Sequence, residues 1–179
     1  LKKSVLTIDS LCFAYKESEP LINTMNISII GPERIALQGK NGAGKTTLIK
    51  LILNELQPKS GSLHVGVDKI GYLNQEVSFL NPEHTLIEAF EYHNPDINTR
   101  HAYFALASMN FRGRDGLKKV AHLSGGEKIR AGLSIQLLSS HPPQLIILDE
   151  PTNHLDLRSI SAIESMIKAY KGAVIAISH

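Results

Sequence analysis

The chain has little that would staple, anchor or polarise it. One cysteine stands in 179 residues, tryptophan is missing, and aromatic residues make up 6%. A lone Cys12 excludes a disulfide framework within the chain, and no Cys/His spacing suggests a zinc site. In LCFAY it is expected to be a small buried residue of a strand. No apolar run approaches the ~18–20 residues of a membrane span; Leu145 to Leu148 reads as a short buried strand. No signal peptide is expected, because Leu1-Lys2-Lys3 leads directly into strand-like residues. Neither charge dominates: 19 Lys+Arg against 17 Asp+Glu leave a net +2, which neither demands nor excludes a nucleic-acid or anionic-membrane partner.

What is present is the composition of an ordinary globular protein, 42% hydrophobic and 20% charged. The length suits one domain, whose core can bury about 70% of the surface the unfolded chain exposes. The chain opens at Leu1 and stops at His179 directly after an apolar run, and both ends read as those of a fragment.

Periodicity and punctuation give the elements. Leu6 to Tyr15, Ile27 to Ile30 and Arg34 to Gln38 read as strands, the last running into a glycine-rich loop. Lys45 to Glu55 carries apolar residues at helical spacing, and Leu63 to Val67 with Lys69 to Leu73 reads as a hairpin-like pair of strands. The pattern then turns helical. Thr85-Leu-Ile-Glu88 has the form of a capping box, and Asn98 to Met109 is a second helix. Arg112 to Lys119 is a polar, basic connection, expected to be solvated rather than bound to RNA. Ser124 to about Ser139 and Leu157 to Tyr170 are helices, and Leu145 to Leu148 and Ala173 to Ile177 are buried strands. Strands interleaved with helices around a helical middle indicate a mainly parallel α/β core with an inserted helical segment.

Three motifs carry chemistry. Gly39-Lys40-Asn41-Gly42-Ala43-Gly44-Lys45-Thr46 fits G-x-x-x-x-G-K-[ST] between a strand and a helix. Gly42 and Gly44 let successive backbone N–H groups turn toward phosphates, and the helix beginning near Lys45 adds its positive end. Lys45 can reach β- and γ-phosphates, and Thr46 can ligate Mg2+. Asp149-Glu150 places two carboxylates at the end of a buried strand, where such sheets gather ligands. Asp149 suits the Mg2+ shell and Glu150 suits orienting or deprotonating a water. Leu123-Ser-Gly-Gly-Glu127 opens a helix with Ser124 as cap. Two glycines there leave an anion-accepting terminus that suggests a second molecule or domain.

The order of phosphate loop, Gln75, LSGGE, LILDE and terminal His resembles an ATP-binding cassette of the ABC superfamily over almost the whole chain. The resemblance implies a P-loop NTPase fold with a mainly parallel core, an N-terminal antiparallel β portion and a helical insert. The core would span about 1–76 and 144–179, and the helical subdomain about 77–143. It implies that Tyr15 stacks on adenine, and that Gly39, Asn41, Gly42, Ala43, Gly44, Lys45, Thr46 and Thr47 hold ATP. Thr46, Gln75 and Asp149 would serve Mg2+, and Glu150, His179 and Gln75 the attacking water and γ-phosphate. Ser124, Gly125, Gly126 and Asp156 would act on the ATP of a second cassette, in the same parent chain or in a dimer.

Glu150-Pro-Thr-Asn-His-Leu-Asp156 and Glu127-Lys-Ile-Arg130 further resemble the ABC-F family. Only 47 residues separate Gln75 from Leu123, leaving no room for a long inserted arm, as in a second cassette. That resemblance implies a cytoplasmic, ribosome-associated ATPase acting in translation or antibiotic resistance. Two other readings stay open at this point. One is the nucleotide-binding subunit of an ABC membrane transporter; the other is a nucleotide-binding half without turnover.

Overall fold

The computed structural model describes residues 3–17, 19–152 and 155–178. Its strands are β1 (Ser4–Phe13), β2 (Ile22–Ile30), β3 (Arg34–Gln38), β4 (Ser60–Val65), β5 (Ile70–Leu73), β6 (Leu145–Asp149) and β7 (Ala173–Ser178). Its α-helices are α1 (Lys45–Ile52), α2 (Leu86–His93), α3 (Thr99–Ser108), α4 (Gly125–Leu137) and α5 (Leu157–Ala169). The strands form two sheets, ordered β2-β1-β4 and β3-β7-β6-β5. The first is antiparallel; in the second, β3 and β7 run parallel with Arg34 opposite Val174 and Gln38 opposite Ser178. This is the α/β architecture with an antiparallel β portion that the sequence implies.

β1 shows how its sequence sets its register. Leu6 and Ile8 face the core, then the pairing shifts before Leu11 and Phe13, which are buried again. The shift falls where Ser10 adopts φ 48°, a bulge that adds one residue and restores the apolar face. Cys12 therefore points away from the core. It is half-buried rather than buried as expected, and its Sγ accepts the Thr24 N–H at 3.3 Å. A second correction concerns the pair of strands at 63–73. β4 pairs with β1 and β5 lies at the edge of the other sheet, so the two form no hairpin. The short Gly66-Val67-Asp68-Lys69 link passes between sheets instead of reversing one ladder.

The chain divides into two compact units. The first comprises Leu1–Tyr72, Gln144–Leu148 and Lys171–His179. Its core gathers Leu6, Ile8 and Leu11 of β1, Leu48 and Ile52 of α1, Leu145 and Ile147 of β6, and Ile175 and Ile177 of β7. Burying such side chains contributes about 1.5–3 kcal/mol each before entropy is counted. The second unit comprises Leu73–Pro143 and Asp149–Tyr170, so α5 groups with the helical segment, whereas the sequence reading grouped it with the core. Here Leu86, Phe90, Leu106 and Leu133 are fully buried. The Asn94 amide is buried with them and donates to the carbonyls of Phe90 (3.1 Å) and Ile135 (3.0 Å), which satisfies it.

Candidate functional site

In the first unit the phosphate loop runs from the end of β3 into α1. Gly42 and Gly44 have φ 81° and 93°, left-handed values that a side chain would strain. Gly44 is the N-cap of α1 and no side chain accepts a hydrogen bond there. The first amides of α1 are thus left without a side-chain cap, which is the arrangement that receives an anion. Lys45 turns its ammonium back into the loop, donating to the carbonyls of Gly39 and of Lys40, the latter at 3.1 Å. Thr46 is exposed on the first turn, whereas Thr47 is buried and shares a 3.1 Å hydrogen bond with the Tyr15 hydroxyl. Tyr15 is 62% exposed and held edge-on by Phe13, ring centres 5.0 Å apart. One ring is therefore presented to solvent and fixed at its hydroxyl beside the loop's helix. Asn41 and Ala43 lie exposed at the tip.

In the second unit, Gln75 sits on a tight turn. The Val77 N–H donates to the Asn74 carbonyl (3.0 Å), and the Asn74 side chain accepts the Ser78 N–H (2.9 Å) and donates to the Ser78 hydroxyl (3.0 Å). Gln75 and Glu76 are exposed at the centre of that turn. Val77 closes it at φ 50°, 1% exposed. A β-branched residue in the left-handed region costs on the order of 1 kcal/mol or more, so its surroundings must hold it there.

Asp149 ends β6, and Glu150 follows at φ 53°, another left-handed residue. The turn continues through Pro151 and Thr152; His154, beside Asn153, lies outside the described residues, as does His179. Asp156 caps α5: one carboxylate oxygen accepts the Ser159 N–H (2.9 Å) and the other its hydroxyl (2.8 Å). Those two donors, N–H first, lower the Asp156 pKa from the ordinary carboxylate value.

Ser124 caps α4 as the spacing predicts. Its hydroxyl accepts the Glu127 N–H (3.2 Å) and its own N–H donates to the Glu127 carboxylate (2.8 Å). Gly125 is exposed and Gly126 buried. A methyl placed on Gly126 would lie 2.6 Å from Ser159 Oγ and 3.3 Å from Leu155 Cδ2. Gly126 therefore brings α4 close to the start of α5, a role invisible in LSGGE because Ser159 lies in a later segment. Sequence reasoning missed Ser159 for the same reason.

The basic connection is less free than it reads. Lys118 pairs with Asp115 (2.8 Å) and Lys119 with Glu83 (2.9 Å). Among the described residues no three or more His, Cys, Asp or Glu form a group that could hold a metal ion. The hydroxyl, carboxylate and amide oxygens of Thr46, Asp149 and Gln75 are nevertheless the hard donors Mg2+ takes, and Mg2+ is commonly held by one or two carboxylates together with substrate phosphates.

Comparison with known proteins follows this geometry. Residues 22–153 match the family described as ABC transporter. The chain is 39% identical to the ATP-binding protein Uup of Buchnera aphidicola over its whole length, covering 30% of that protein. It is 36% identical to ABC transporter F family member 2 of Arabidopsis thaliana, with 99% of this chain and 26% of the relative covered. It is 31% identical to Protein GCN20 of Saccharomyces cerevisiae, with 100% and 24% covered. The chain thus spans about a third or less of these relatives. Among solved structures, cbiO1 from Clostridium perfringens, part of the ABC transporter complex cbiONQ, superposes with a TM-score of 0.81 at 23% identity. That match covers 99% of this chain and 79% of the other, and at this identity it speaks to the fold.

Proposed function

This chain belongs to the ABC family, with relatives of the F type, and on that footing we propose that it binds Mg·ATP and hydrolyses it as one cassette of a pair. The observation that carries the reading is the start of α1: two left-handed glycines, a helix terminus without a side-chain cap, and a lysine folded into the same loop. These are the elements that bind a triphosphate through backbone N–H groups and one cation.

Lys45 neutralises charge on the β- and γ-phosphates, and Tyr15 offers its exposed ring to the adenine. Thr46, Asp149 and Gln75 would hold Mg2+, which would supply neutralising charge at the phosphates. Glu150 takes the proton of the attacking water. Gln75 and His179 orient that water and the γ-phosphate. Little covalent work falls to the protein in such a transfer, so positioning and electrostatic stabilisation supply most of the acceleration. Ser124, Gly125, Gly126 and Asp156 serve the nucleotide of a second cassette. The core about 1–76 and 144–179 and the helical segment about 77–143 remain our division of labour between nucleotide and partner.

The partner we propose beyond the second cassette is the ribosome, and the place cytoplasmic, supported by the EPTNHLD and SGGEKIR stretches and by F-type relatives. No helix among the described residues is long and apolar enough to cross a membrane. The transporter reading draws support from the description of the matching family and from the fold shared with transporter cassettes.

Two substitutions in the full-length protein test the chemistry. Lys45→Ala weakens ATP binding at least tenfold, while Glu150→Gln keeps binding and lowers turnover about a hundredfold or more. ATP hydrolysis undiminished in Glu150→Gln would remove the proposed base. Sedimentation with ribosomes separates the partners: the ATP-trapped Glu150→Gln protein is expected to pellet with them, and its failure to do so counts against the ribosomal reading.

A further inference from the structure

Gly132, in the middle of α4, faces the turn that carries Gln75. A methyl placed on it would lie 2.6 Å from Val77 Cγ1, 3.0 Å from Leu73 Cδ2 and 3.5 Å from Phe79 Cε1. All four residues belong to the second unit. Gly132 and Val77 lie outside the phosphate loop, Asp149-Glu150 and Leu123-Ser-Gly-Gly-Glu127.

We propose that Val77 and Gly132 are positioning residues for Gln75: the valine, seated in the notch that a missing side chain leaves on α4, fixes the angle at which the turn presents the glutamine. Three observations support this. Val77 is β-branched at φ 50°, a conformation that a lone exposed turn would abandon and that packing must impose. The same residue closes the backbone hydrogen bond of the turn, its N–H on the Asn74 carbonyl, so displacing it displaces Gln75 two residues earlier. Finally, the notch is filled from three sides of that one segment: Leu73 before the turn, Val77 at its close and Phe79 after it. A methyl at this distance makes these side chains give way, and Val77, short and branched at Cβ, passes that displacement to the turn.

The consequence is that the helix opening with Ser124-Gly-Gly also sets the glutamine proposed for Mg2+ and the attacking water. The inference rests on that reading of Gln75. Its test is a mutant cycle in the full-length protein, measuring ATP turnover at saturating ATP, the Mg2+ concentration for half activation, and affinity for a fluorescent ATP analogue. Gly132→Ala is expected to lower kcat about tenfold and raise the Mg2+ requirement, with analogue affinity within about twofold of the parent. In a Gln75→Ala background the same change is expected to alter kcat less than about twofold, because the group it acts through is gone. Val77→Ala added to Gly132→Ala makes room for the methyl and is expected to bring kcat back within about threefold of the parent.

Should Gly132→Ala fail to fold, Val77→Ala carries the same cycle, lowering kcat only where Gln75 is present. An equal loss with and without Gln75 overturns the proposal and leaves the role of Gln75 standing. Parent-level turnover in Gln75→Ala itself removes that role, and the proposal falls with it.

Discussion

Val77 and Glu150 share a left-handed backbone without being glycine, and each lies within two residues of one proposed for Mg2+. Only the geometry exposes this, since neither residue type favours that conformation. The glycines divide in the opposite way. Gly42 meets nothing within 4 Å and is needed for its φ, whereas Gly126 is needed for space. Gly126→Ala is therefore expected to push α4 and the start of α5 apart even without a partner cassette, lowering the denaturation midpoint of the protein. Ser159→Ala in the same chain should relieve part of that loss. An unchanged midpoint in Gly126→Ala would show the contact to be slack. Motif reading singled out Ser124, Gly125, Gly126 and Asp156 because each sits in a recognisable string, the first three in LSGGE and the last in EPTNHLD. It missed Ser159, Gly132 and Val77, whose partners lie in other segments and whose importance is steric.

Among elements, those whose signals are local were legible. The capping boxes at Thr85 and Ser124 form as the spacing predicts, with both reciprocal hydrogen bonds. Thr85→Ala removes one and is expected to cost about 1 kcal/mol in chemical denaturation. β4 and β5 were misjudged because alternation records which face is buried, not which strand lies alongside. Element packing also brings a pH dependence. His93 ends α2 edge-on between Phe79 and Tyr92, and burial there lowers its pKa from the ordinary value. A lowered histidine favours the neutral form in the fold, so the unfolded chain binds the proton first. The stabilisation is complete above about pH 6.5 and is lost as pH falls through the lowered value. Denaturation midpoints should decline between pH 7 and 5, and His93→Gln should flatten that decline.

At the scale of the molecule, the α/β class was legible from the alternation of strand and helix patterns, and the sheet order was not. Where β6 and β7 lie relative to β3 depends on pairings between distant segments, which no local window contains. The proposed pairing of cassettes predicts a concentration dependence. Turnover per cassette in the isolated chain should be slow and rise with protein concentration, and ATP with Glu150→Gln should shift its sedimentation toward a dimer. Fast turnover independent of concentration would refute a shared site.

The parallel register of β3 with β7 carries one more consequence, in the order of events at the ribosome's exit. β1, β2 and β4 have all emerged by Val65 and can close their sheet early. β3, which delivers the phosphate loop, lies at the edge of its sheet and among the described residues pairs with β7 alone, so Arg34 must wait for Val174. Long-range parallel pairing of this kind is slow, because loop closure must precede any gain from the contact. The loop is therefore synthesised early and framed late. Nucleotide, binding only the framed form, acts on the last step of folding as well as on the finished protein.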